Sequence, residues 1–177
     1  ALALEHQGKY VKAEQLFRQA LTIRQKRLGY EHPQVAESLN NLAGVLDSQG
    51  KYPEAEPLYR QALAMTQKVL GPEHPQTASI LHNLALVLDN QGEYAEAERL
   101  DRQALALAQK HLGTEHPAVA ASMDNLASVL NSQEKFAEAR RLCNQALSIR
   151  QKLLGAEHPD VAISLNNLAS MLSYQGD

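Results

Sequence analysis

Four hexapeptides, "LGYEHP" (28–33), "LGPEHP" (70–75), "LGTEHP" (112–117) and "LGAEHP" (154–159), stand 42 residues apart. A fixed period of that order marks a stacked architecture: one supersecondary unit is copied, and each copy covers its neighbour's apolar face. Laid out at this period, the chain divides into a partial repeat (1–28), three full repeats (29–70, 71–112, 113–154) and a half repeat (155–177). Together they predict a single array over 1–177.

Within a copy the apolar residues fall three and four apart. Val35, Leu39, Leu42, Ala43 and Leu46 make one helical stripe, and Ala55, Leu58, Tyr59, Ala62, Leu63, Thr66, Val69 and Leu70 make a second. "QGKY" (49–52) separates them, with Gly50 supplying the left-handed residue that ends the first helix. The second helix stops at Gly71, and Pro75 opens the next in the first helical position. The hexapeptide therefore reads as punctuation, its glutamate set near the positive end of the following helix dipole.

Composition narrows the function classes. The net charge of −3 offers no basic surface for nucleic acid or for an anionic membrane. No apolar run approaches membrane-spanning length. Aromatic residues are 5% and tryptophan is absent, while Ala, Leu and Gln abound, which suits helices. The lone Cys143 allows no internal disulfide and fits a reducing compartment, so a cytoplasmic location is expected. The first residues, "ALALEHQGKY", lack an initiating Met and begin in mid-pattern, which predicts a segment of a longer protein.

Three groupings invite a chemical reading. The four Glu-His pairs suggest metal ligands, but on helices stacked about 8–10 Å apart they run in a row and cannot converge on one ion. No metal or other cofactor is expected. Ser79, His82 and Asp89 share a helix face like a hydrolytic triad, yet mid-helix N–H groups are spent and supply no oxyanion hole. The chain is therefore expected not to be an enzyme. Cys143 falls where other copies have Phe17, Tyr59 and Asp101, and is expected to be a packed small hydrophobe rather than a reactive thiol.

Leu39, Leu42, Ala43, Leu46, Gly50, Tyr52, Ala55, Tyr59 and Ala62 resemble the signature of the tetratricopeptide repeat. That family's usual unit is 34 residues, and the longer unit here, with "SLNNLA", "AEPLYRQAL" and "LGPEHP", is similar to the kinesin light chain variant. The resemblance implies an all-α, right-handed superhelical solenoid of antiparallel helix pairs. It also implies a concave groove lined by first helices. Its groove positions would be Glu37, Asn40, Gly44, Asp47 and Ser48, then Ser79, His82, Leu86, Asp89 and Asn90. Ala121, Asp124, Ser128, Asn131 and Ser132 would follow, then Ile163, Asn166, Ser170, Ser173 and Tyr174, with Glu5 and His6 at the other end. The same resemblance places Asn41, Asn83, Asn125 and Asn167 at a structural seam between helices.

All 17 Lys and Arg residues fall in second helices or the turns leading into them, which predicts a neutral-to-acidic groove with its cations on the back. The resemblance then implies a non-enzymatic protein–protein interaction scaffold binding a peptide or helix that is not strongly acidic. The alternative is a structural spacer or self-association module. Uncovered apolar stripes at the two ends, Leu165, Leu168, Ala169 and Leu172 among them, predict a homodimer through the array ends. Two further positions stand out. Glu134 occupies the place of Gly8, Gly50 and Gly92, predicting a strained positive φ. Asp101, at an apolar seam, should either hydrogen-bond the next first helix or be exposed.

Overall fold

The computed structural model describes the backbone of residues 2–175 and the side chains of residues 9–169. Among these residues the chain is all-α. Its helices are α1 (Leu2–Leu28), α2 (Pro33–Ser48), α3 (Tyr52–Leu70), α4 (Pro75–Asn90), α5 (Tyr94–Leu112), α6 (Pro117–Ser132), α7 (Phe136–Leu154) and α8 (Pro159–Gln175). Contacts gather them into two compact units, Ala1–Gln91 and Gly92–Asp177.

In the first unit α1 packs on α2, α2 on α3, and α3 on α4, with α2 also touching α4. The predicted stripes become its core: Val35, Leu39, Leu42, Ala43 and Leu46 from α2 meet Ala55, Tyr59 and Ala62 from α3. Leu58, Leu63 and Leu70 are only half-buried, and Val69 is exposed. The second unit repeats the plan, with α6 between α5 and α7 and α8 resting on α7 and α6. Val119, Met123, Leu126, Ala127 and Leu130 there pack against Ala139, Leu142, Cys143 and Ala146.

The turn between helices has the expected geometry. After α2, the Gly50 N–H donates to Asp47 O and the Lys51 N–H to Leu46 O, with Gly50 at φ 73°. The same pair of bonds closes α6, from Glu134 to Asn131 O and from Lys135 to Leu130 O. Glu134 holds φ 61°, the only positive φ on a non-glycine residue among those described.

One expectation about the backbone is corrected. A turn was expected at Gly8, before a helix beginning near Lys9, but α1 runs unbroken from Leu2 to Leu28. A glycine inside a helix costs only about 1 kcal/mol, which an otherwise continuous helical run absorbs. Of the two outcomes expected for Asp101, exposure is excluded, since it is 2% exposed in α5.

Candidate partner-binding face and its supporting networks

Each first helix starts the same way. His32, His74 and His116 are the N-caps of α2, α4 and α6, and each Nδ1 accepts the backbone N–H two residues on. His158 does the same for Asp160 at the start of α8. The ring nitrogen thus satisfies one of the donors a helix start leaves open, and proline follows in the first helical position where it costs no hydrogen bond. The adjoining glutamate serves elsewhere: Glu31 pairs with Lys68 of α3, and Glu115 with Lys152 of α7. The hexapeptide therefore ties the end of one second helix, the start of the next first helix and the next second helix together.

In the first unit, the expected groove positions share the outer face of α2 and α4. Glu37, Ser48, Ser79, Leu86 and Asn90 are exposed, while Asn40, Gly44, Asp47, His82 and Asp89 are half-buried. A shallow cavity of about 100 Å³ lies on this face, lined by Glu37, Asn40, Thr66, Gln76, Ser79 and Ile80. Below it the Tyr59 hydroxyl lies where a side chain at Gly44 would meet it at 3.4 Å. Burial raises the Tyr59 phenol above its ordinary range, helped by the Asp47 charge, and burial raises Asp47 as well. Ser79 and Asp89 sit ten residues apart on α4, about 15 Å along its axis, too far for the relay a hydrolytic triad needs.

The second unit departs from the expected groove. Ala121, Ser128, Ser132, Ile163 and Asn166 are exposed and Asn131 is half-buried. Asp124, however, is only 9% exposed and turns inward, pairing with Arg150 of α7 at 2.5 Å. Arg150 also donates to Ser164 Oγ of α8, and Asp124 accepts from Cys143 and Asn167. Burial raises the Asp124 carboxyl, opposed by Arg150 and these hydrogen bonds. Burial, reinforced by the Asp124 charge, pushes the Cys143 thiol up to about 12, so Cys143 is a packed, unreactive group as expected. Glu5, His6, Ser170, Ser173 and Tyr174 lie outside the residues whose side chains are described.

The expectation that every cation lies on the back is therefore corrected at two positions. Arg150 enters the core, and Arg24, its counterpart in α1, reaches the α2 face, donating to Ser38 Oγ at 2.8 Å and the Gln34 carbonyl at 2.9 Å. Arg24 also pairs with Glu37, a groove position, at 3.4 Å. The signal was available. Ala13, Phe17, Ala20 and Arg24 follow the same spacing as the buried Ala55, Tyr59, Ala62 and Thr66, so the arginine belongs to the inward stripe.

The seam asparagines link successive first helices. Asn83 Nδ2 of α4 donates to Asn40 Oδ1 of α2 at 3.2 Å. In the second unit Asn167 of α8 and Asp124 of α6 stand in the same register, and Asn167 favours the ionised carboxylate. Asn41 and Asn125 are half-buried.

A third network ties second helices to turns. Gln49, Gln91 and Gln133, from the turn after each first helix, donate to Glu14, Glu56 and Glu98 of the preceding second helix. Lys51 and Lys135 join at 3.1 and 2.6 Å. The hydrogen bond from Gln49, with those from Lys51 and Arg18, holds Glu14 at about 2 against the cost of burial. Burial opposes ionisation of Glu98 more strongly, yet Lys135, Gln133 and Arg102 hold it at about 2 too.

Among the described residues, no helix is long and apolar enough to cross a membrane. A family profile described as tetratricopeptide repeat matches residues 1–68, 48–110, 81–142 and 118–177. Among solved structures, the chain is similar to the nearly identical TPR-like repeats of a kinesin light chain-type protein from Podosopora anserina. Identity is 33% over 97% of this chain and 81% of that one, with a TM-score of 0.83, and 0.84 for a point variant of the same protein. It is also similar to BtubC (BKLC) from P. vanneervenii, at 27% identity, 98% and 69% coverage and a TM-score of 0.84. Among curated proteins, none matches the chain.

Proposed function

The chain belongs to the tetratricopeptide repeat family, with repeats of the kinesin light chain-like type, and from that premise we propose that it is a non-enzymatic scaffold whose first helices hold a peptide or helix of a partner protein. One observation carries the reading: the exposed face of α2 and α4 presents Glu37, Ser79 and Asn90, beside the half-buried His82, and no lysine or arginine of its own. Arg24 reaches that face only in company with Glu37. A strongly acidic partner would meet the carboxyl groups of Glu37, Asp47 and Asp89 on this face, so the partner is neutral or basic in the contacting stretch. Residues 1–177 act as one array in this reading, in the cytoplasm, where the free thiol of Cys143 stays reduced.

Binding to a peptide array tests it. Selective hits of neutral or basic character support the reading, whereas uniformly weak signals, or hits confined to acidic peptides, contradict it.

A second reading, self-association through the ends, is favoured by Leu16 and Ile23 of α1 and Ile163 and Leu165 of α8, all roughly half or more exposed. Leu100 and Leu142, the counterparts of Leu16, are buried, as are Leu39 and Leu81, the counterparts of Leu165. These stripes have the form that a further helix pair covers. Light scattering at ~100 μM, well above weak-dimer constants, should find a dimer, and a clean monomer refutes this second reading.

A further inference from the structure

Histidine is an unusual helix cap, because its ring nitrogen accepts a hydrogen bond only while that nitrogen carries no proton. The distances from Nδ1 to the backbone N–H two residues on are 3.2 Å for His32, 3.2 Å for His74, 3.1 Å for His116 and 3.2 Å for His158. In all four the bond requires the ring proton on Nε2. A second proton would turn Nδ1 into a donor facing a donor. It would also set a positive charge at the positive end of a helix dipole. Both effects oppose the cap, and they recur at every first helix of the array.

We propose that these four histidines form an acid-sensitive latch: protonation of the capping ring nitrogens releases the starts of α2, α4, α6 and α8. The first helices also carry the proposed partner-binding face, so their loosening would reach it. The latch itself is a property of the chain alone, and its test does not depend on a partner.

The surrounding charges modulate the four sites unequally. Beside His32, Glu31 is paired with Lys68 of α3, and Arg24 of α1 lies against the Gln34 carbonyl in the first turn. Beside His116, Glu115 is paired with Lys152 of α7. Glu73 adjoins His74, and Glu157 adjoins His158. His158 also has Asp160 Oδ2 at 3.9 Å. The carboxylates do not mimic the effect. Glu14 and Glu98, held at about 2, stay ionised throughout the imidazole range. Asp47 and Asp124 are raised, and a raised carboxyl gains stability on acidification, the opposite sign.

The experiment compares thermal unfolding midpoints at pH 7.5 and 5.5. The wild type should fall by about 5 °C or more. A fourfold variant, His32→Asn, His74→Asn, His116→Asn and His158→Asn, keeps capping oxygens that do not titrate, and should lose less than half as much. A control with His82→Asn and His111→Asn should fall as the wild type does. No fall in the wild type, or an equal fall in the fourfold variant, overturns the proposal. Should the fourfold variant not fold, His74→Asn alone must make the fall smaller than that of the wild type, and an undiminished fall overturns the proposal. Nitrogen NMR of the rings at pH 7.5 must also find the Nε2–H tautomer, and an Nδ1–H tautomer at these four residues overturns the proposal.

Discussion

Asn83 of α4 donates its side-chain amide to Asn40 of α2 at 3.2 Å, so an outward-facing residue of one repeat is oriented by a seam residue of the next. The same register in the second unit sets Asn167 against Asp124, a carboxylate in place of the Asn40 amide. Asn83→Ala should therefore cost about 1 kcal/mol, the usual net worth of a part-buried hydrogen bond. Asn40→Asp should cost less, because the acceptor survives. Urea unfolding of the two variants checks both, and a costlier Asn40→Asp would show that the amide of Asn40 donates elsewhere.

Removing the Arg150 guanidinium should be far more damaging. Arg150→Thr leaves Asp124 buried without its cation, a change of about 3 kcal/mol or more. Unit one holds the neutral form of this arrangement, with Thr66, Asn40 and Ile80 at the positions of Arg150, Asp124 and Ser164, all lining one cavity. The triple change Arg150→Thr, Asp124→Asn and Ser164→Ile should thus recover most of the loss. Denaturation midpoints decide it, and a triple variant no better than Arg150→Thr would show the two sites are not interchangeable.

Glu134 adopts φ 61° where the equivalent turns have Gly50 at 73° and Gly92 at 83°. The side chain is exposed, so little packing offsets the strain. Glu134→Gly should raise stability by about 1 kcal/mol, the left-handed penalty relieved less the added entropy of the unfolded chain. A melting temperature that stays level or drops would contradict it.

Much of this was legible in the sequence because repetition aligns residues that chemistry must reconcile. The period gave the helices, the turn glycines and the strained Glu134 without any coordinates. The inward arginines were missed because charge was read by helix rather than by stripe: Arg24 and Arg150 sit on second helices, yet on the face that carries Thr66. The break expected at Gly8 failed because a mid-helix glycine costs only about 1 kcal/mol, too little by itself to end a helix. The lysine partners of Glu31 and Glu115 were hidden because they come from the far end of the same repeat's second helix, 37 residues on.

Acid should reach the glutamate networks only well below the histidine range. Glu14 and Glu98, folded, titrate at about 2 rather than 4.5. A depressed carboxyl contributes stability that is fully present above its unfolded value and is lost as pH falls through the folded one. Stability should therefore decline between pH 4.5 and 2, and Glu14→Gln with Glu98→Gln should flatten that decline while costing about 1 kcal/mol each near neutral pH. An unchanged slope between those pH values would remove these two residues from the acid transition.

The central claim is that the first helices of the array, not its back, hold a partner. A peptide selected on the array should be titrated against Ser79→Arg with Asn90→Arg, both exposed on α4, and against Gln61→Arg with Gln103→Arg, both exposed on second helices. The account predicts that the α4 variant weakens binding at least about tenfold with its unfolding midpoint unchanged, while the second-helix variant binds as the wild type does. Undiminished binding by the α4 variant, with loss in the second-helix variant, would place the partner on the opposite face and contradict it.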